Sequence, residues 1–221
     1  MASPGQLVDA LAEAFNMPTT TVAQFDRMLA ESGLRSAGGR GLSAASVTAR
    51  DAANLLIAIT GAFSTVSPIK DAAATVRYFG GMQFDVTDRR SHKSGEETRR
   101  DIHGIRNWKS GTFSELRGFV SAFADLSDFH TFADGLTALI EAVRRTEIQV
   151  SKENSFGSVS VSGYGPSSIL LYSNHARRDW TLMYLPKKRA SVSGLFWTRH
   201  FLLETVATVA DVLNTDRRRL D

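Results

Sequence analysis

Of the side chains able to do chemistry, the five histidines come first. His92, His103, His130, His175 and His200 are scattered along the chain, and no two have the close helical spacing of a zinc motif. The segment DFHTFAD brings Asp128, His130 and Asp134 close in sequence, but on a helix Asp128 and His130 share no face, so solvated or capping roles are expected. The stretch FGSVSVSGYGPSS has neither the lysine of a phosphate-binding loop nor the spacing of a dinucleotide fingerprint, and reads as hairpin turns. There is no nucleophile elbow, and no serine has an identifiable base partner. The absence of cysteine removes thiolate zinc sites, cysteine nucleophiles and disulfides together. The expectation is a protein without catalysis, metal or cofactor.

The remaining candidates are cationic. With 26 Lys+Arg against 23 Asp+Glu, the net charge of +3 does not by itself nominate a nucleic acid as ligand. The distribution is uneven: residues 174–221 hold nine basic and five acidic side chains, whereas residues 1–62 hold four and five. The excess falls in Arg177-Arg178, Lys187-Lys188-Arg189 and Arg217-Arg218-Arg219. Each could meet phosphate, although short basic runs are more often solvated faces or tails.

The elements that would carry these groups follow from periodicity. Leu7, Val8, Leu11, Ala12 and Phe15 form one helical stripe, and Val22, Phe25, Met28 and Leu29 form a second. Pro18 and the three threonines Thr19 to Thr21 separate them, with the hydroxyls expected to cap the second helix and Gly33 to end it in a left-handed turn. After the flexible stretch RSAGGRGLSAAS, Thr48 opens a third helix carrying Ala52, Leu55, Leu56 and Ile59. A helix from Ser67 to Phe79 follows, then a polar insertion, Asp85 to Gly111, with no apolar periodicity. A long helix is expected from Ser114 to Val143, broken near Ser127-Asp128, with Phe113, Phe119, Phe123, Phe129 and Phe132 mainly in the core. The runs TEIQVS, GSVSVSGY, SSILLYS and DWTLMYL predict three or four antiparallel strands, and SGLFWTRHFLLETVATVADVLNTD predicts a helix covering them. Tyr164, Tyr172, Trp180, Tyr184 and Trp197 then fall mainly in the sheet core. The acidic N-terminus, and a longest apolar run of only Leu55 to Ile59, predict a cytoplasmic protein with no membrane partner.

Leu11-Ala12, a turn at Phe15-Asn16-Met17-Pro18, and Thr21-Val22 leading a second helix resemble the helix-turn-helix, winged-helix-like pattern of bacterial transcription regulators. The match covers Leu11 to Leu34 alone. It departs at Asn16, where the family usually carries glycine, and at Gln24, where no arginine stands; asparagine can also adopt the left-handed conformation the turn needs. The resemblance implies that the second helix enters the major groove of double-stranded DNA. Gln24 would pair with adenine, Thr19, Thr20 and Thr21 would bond phosphates or meet a thymine methyl, and Arg27 would sit at the helix edge. The stretch LRSAGGRG would be a wing or arm, with Arg35 and Arg40 reaching the neighbouring backbone or minor groove. The segment GRGLSAASVTARDAANLLIAI is also similar to stretches of uncharacterised prophage-type bacterial proteins, which favours a bacterial or phage origin.

These readings make an α+β chain. A three-helix head, residues 1–62, is followed by residues 63–221: a mostly helical middle with a mobile insertion, then a small antiparallel sheet covered by a C-terminal helix. The expected function is sequence-specific transcriptional regulation by a homo-oligomer, a dimer by default. A phage DNA-packaging or assembly adaptor, or a protein-interaction module without catalysis, is the alternative.

Overall fold

The computed structural model describes residues 2–36, 46–62, 67–85, 99–100, 107–151, 153–163, 166–186 and 197–214. The chain is α+β. Its helices are α1 (Pro4–Ala14), α2 (Thr19–Glu31), α3 (Ala49–Gly61), α4 (Ala72–Gly80), α5 (Phe113–Phe119), α6 (Phe132–Arg144) and α7 (Leu203–Asn214). Its strands are β1 (Gln83–Phe84), β2 (Arg99–Arg100), β3 (Asn107–Ser110), β4 (Ser155–Gly163), β5 (Ser167–Ser173), β6 (Arg178–Leu185) and β7 (Trp197–Leu202). Capping boxes start α1, α3, α5 and α6, in the pairs Ser3/Gln6, Thr48/Asp51, Thr112/Glu115 and Thr131/Asp134. Each satisfies two amide donors that the first helical turn would leave unpaired.

The strand order is β2-β3-β6-β5-β4-β7, and β1 also pairs with β6. β1 and β4 to β7 pair antiparallel, while β3 joins β6 in parallel. Alternation places Val159, Val161, Ile169, Leu182, Tyr184 and Phe201 on the face toward the helices. On the opposite face the pleat sets small hydroxyls, Ser158, Ser160 and Ser168, in adjacent register.

α3 is the centre of the molecule. Every residue in it except Arg50 is buried, and it packs against α2, α4, α6 and the β4–β7 edge of the sheet. Such all-round burial suits its run of alanine, leucine and isoleucine, which offers little on any face to water. Consequently the first three helices do not enclose a core of their own: α1 packs on α7 as well as α2, and one hydrophobic cluster runs from Leu7 to Val209. The boundary expected at residue 62 therefore does not coincide with a break in packing.

Several expected elements differ. The helix expected from Ser67 to Phe79 starts only at Ala72, after a turn. The helix from Ser114 to Val143 is divided, because Val120 turns extended (φ −129°, ψ 107°) after α5 and the Thr131/Asp134 box starts α6 afresh. Arg117 pins the intervening loop through the Leu126 carbonyl and Asp128. Of its phenylalanines, Phe123 and Phe132 are core, but Phe119 and Phe129 are 60% and 75% exposed. Trp197 to Leu202 is an edge strand, not the first turns of the last helix; only Leu203, Val206, Val209 and Ala210 form the buried helical stripe. Cross-strand pairing with β4 from Ser158 to Gly163 overrides the helical spacing, and the missing side chain of Gly163 accommodates the Trp197 indole. TEIQVS is a loop with a single bridge, Val150 to Ser155. Within the polar insertion, β2 and β3 belong to the sheet; residues 86–98 and 101–106 lie outside the described residues, as do Tyr164 and Phe196.

Close packing around α3 yields a paired expectation. A Cβ on Gly61 would sit 2.6 Å from Thr75 Cγ2 and 2.8 Å from Phe79 Cδ2, whereas one on Gly118 meets nothing within 4 Å. Gly61→Ala is expected to destabilise by about 1–3 kcal/mol through overpacking. Gly118→Ala is expected to stabilise by about 0.5–1 kcal/mol through lost chain entropy in the unfolded state. Urea unfolding reads both; a neutral Gly61→Ala would show that α3 and α4 are not in close contact.

Candidate nucleic-acid interface

The turn between α1 and α2 is a left-handed helix cap. Asn16 has φ 50°, its amide donates to the Glu13 carbonyl at 3.1 Å, and the Met17 amide donates to Ala12 at 2.8 Å. Asparagine thus fills the position where glycine is the usual choice. The end of α2 repeats the arrangement, with Gly33 at φ 69° and the Leu34 amide on the Leu29 carbonyl at 2.9 Å.

α2 begins at Thr19, directly behind Pro18, and no side chain caps it. The threonines are therefore within the first turn and do not act as caps. Thr21 and Val22 donate their amides to the Pro18 carbonyl; the opening amides of the helix have no partner within it. Thr19, Thr20, Gln24 and Arg27 are exposed, Thr21 is half-buried, and Val22, Phe25 and Leu29 face the core. Thr20, Gln24, Arg27 and Glu31 share one helical face by their spacing. Arg27 is 79% exposed, and its Nε donates to Glu31 at 2.7 Å, so its charge is largely offset locally.

The expected arm is different in kind. Arg35 lies 2.9 Å from Asp26 Oδ1, with side-chain exposures of only 17% and 10%, off the line of a hydrogen bond, so charge attraction holds the pair. Burial pushes the Asp26 carboxyl up, against the pull of Arg35 and with a further push from Asp51. Arg35 is consequently part of the fold and not a free contact for DNA. Asp51 accepts from the Ser36 amide at 2.7 Å and the Thr48 amide at 2.9 Å, and from both hydroxyls; Asn54 holds the Leu34 carbonyl at 2.7 Å. One carboxylate thus fixes both ends of the intervening stretch. Arg40 lies outside the described residues, as do Lys187-Lys188-Arg189 and Arg217-Arg218-Arg219.

A cationic contribution that sequence reasoning missed sits beside the turn. Phe15 and Met17 share a hollow of about 340 Å³ with Thr198, Arg199 and His200 of β7, and the last three are exposed. Partial burial lowers the Arg199 pKa from its ordinary value, and the guanidinium stays charged. Its strand assignment was the missing signal, since only pairing with β4 sets Thr198 to His200 at this edge.

The histidine expected to be solvated or capping is interior. His130 is 4% exposed, and its ring packs in a triangle with those of Phe84 and Phe113, at centroid distances of 4.8 and 4.9 Å. Nδ1 lies 2.7 Å from the Ser127 carbonyl and must carry the proton, leaving Nε2 to accept from the Tyr184 hydroxyl at 3.0 Å. Burial lowers the His130 pKa, opposed by the Ser127 bond. Burial also raises the Tyr184 pKa. With both side chains buried, this pair reads as a structural network. Among the described residues no group of three or more His, Asp or Glu is placed to hold a metal ion, and no helix is long and apolar enough to cross a membrane.

Compared with family models, curated proteins and solved structures, the chain matches none.

Two expectations follow from these contacts. Arg35→Met should lower stability by about 1–3 kcal/mol, because it strands a mostly buried carboxylate. Adding Asp26→Asn should restore part of the loss; strict additivity in the double-mutant cycle would refute the coupling. For His130, the unfolded chain protonates near 6.5 while the folded chain resists. Its stabilising share is therefore complete above that pH and falls away as the pH drops below it. Urea unfolding at pH 7.5 and 5.5 should show a smaller acid loss in His130→Gln than in the parent; equal losses would mean that His130 is not the titrating group.

Proposed function

We propose that the chain binds duplex DNA sequence-specifically, as a bacterial or phage-derived regulator acting as a dimer, with α2 as the reading helix. The observation that carries this is the uncapped start of α2 behind the Asn16 turn, with Thr20, Gln24 and Arg27 exposed on one face. The gap left by a weakly charged head is filled in part by Arg199 next to the turn. Two arginines locked to carboxylates, Arg27 to Glu31 and Arg35 to Asp26, limit the phosphate contacts one copy can make. A second copy supplies the missing affinity by avidity. The same ion pairs favour a second reading, a protein-interaction or assembly module without catalysis, such as a phage packaging adaptor.

Fluorescence anisotropy of the full chain on random and genomic duplexes, at two salt concentrations, separates the readings. Micromolar or tighter binding at low salt is expected. Gln24→Ala should weaken preferred sites by about 1–3 kcal/mol while leaving random DNA nearly unchanged. Arg199→Ala should weaken all DNA alike and reduce the salt slope by about 1. Absence of binding at low salt would end the DNA reading in favour of the second.

A further inference from the structure

Away from α2, a cleft of about 320 Å³ opens between α5, the loop after α6 and the ends of β4, β5 and β6. Its apolar lining is drawn from separate elements: Leu116, Val120, Ile148, Leu171 and Trp180, all buried. Phe119 stands at the edge, 60% exposed, its ring 6.0 Å from that of Trp180. The phenyl ring thus stands at the mouth of an apolar hollow, free to cover what enters it.

The polar lining sets the chemistry of an occupant. Glu147 contributes the one carboxylate, and it is already engaged: Ser121 Oγ donates at 2.6 Å and the Ala122 amide at 3.0 Å. Burial would raise its pKa, but these bonds and Arg145 hold the carboxyl below its usual range. Among the described residues no lysine or arginine lines the cleft, and His175 is exposed. A charged ligand would find no free counter-charge among them. The other polar groups are neutral amides and hydroxyls, Gln149, Asn154, Ser155 and Thr146 among them.

Thr146 adds an independent sign. It occupies the left-handed cap of α6, φ 60°, with the Glu147 amide on the Ala142 carbonyl at 2.9 Å. Glycine serves that backbone without strain, whereas a β-branched residue is a steric outlier there. The strained residue is one that lines the cleft. The volume falls at the lower end of the range for small-molecule sites, enough for a ring or a fused pair of rings.

From these observations we propose that the cleft is a binding site for a small neutral aromatic molecule bearing a hydroxyl or amide edge. The ring lies against Ile148, Leu171 and Trp180, with Phe119 closing over it, and the polar edge meets Gln149 and Asn154. This site stands whether or not α2 reads DNA.

Calorimetric titration of the full chain with 4-methylphenol tests it, with benzoate and benzylamine as charged probes of similar size. Saturable one-to-one binding with Kd about 1 mM or tighter is expected, and both charged probes should bind at least about tenfold more weakly. Ile148→Phe fills the cleft and should abolish binding with the circular dichroism spectrum unchanged. Phe119→Ala, at an exposed position that leaves the core intact, should weaken binding several-fold even if Ile148→Phe fails to fold. Lack of saturation, equal affinity for the charged probes, or undiminished binding by Phe119→Ala would each overturn the proposal.

Discussion

Burial of α3 on all sides is the constraint from which the architecture follows. A helix with a single exposed side chain, Arg50, must be surrounded, and its surroundings are built from distant parts of the chain: α2, α4, α6 and the β4–β7 edge. The close approaches depend on small residues, with Gly61 against Thr75 and Phe79, and Gly80 against Ala133 and Ile57. Even the lone exposed residue is used, since Arg50 reaches the capping carboxylate of α6, Asp134, at 2.7 Å. Hydrogen bonds from Thr131 and Arg50 outweigh the effect of burial on Asp134 and lower its pKa. The start of α6 is thereby tied electrostatically to the helix it packs against.

Surrounding α3 also ties the candidate interface to the rest of the molecule. α2 contacts α3 and α4 through its buried stripe, and α1 lies on α7, so the exposed face of α2 cannot swing as a separate head without opening the common core. In an assembly, the relative placement of two α2 helices would be set by how whole chains pair, and not by a linker.

Local features were the most legible in the sequence. The stripes of α1, α2 and α4, the Thr48 cap, the left-handed ends at Asn16 and Gly33, and the strands β4 to β6 all follow from periodicity, capping chemistry or turn residues near at hand. What escaped depends on partners far away in sequence. Trp197 to Leu202 has helical spacing into α7, yet pairs with β4. His130 is polar by type, but becomes core once Phe84, Phe113 and Tyr184 surround it. Arg35 is the exception in distance: the carboxylate that captures it, Asp26, lies nearby on the preceding helix, but no spacing rule marks a pairing across the turn at Gly33. The cleft was invisible for the same reason, being assembled from α5, the loop after α6, and three strands.

The Asp51 clamp has an architectural consequence. Because Ser36 and Thr48 both bond to one buried carboxylate, the chain leaves and re-enters the core at nearly the same point. Ends held this close tolerate connections of very different length, since doubling the length of a connection costs only about 0.6 kcal/mol in closure entropy. Such a point is a natural graft site, where the fold would accept a foreign peptide or a whole inserted domain whose own termini lie close together.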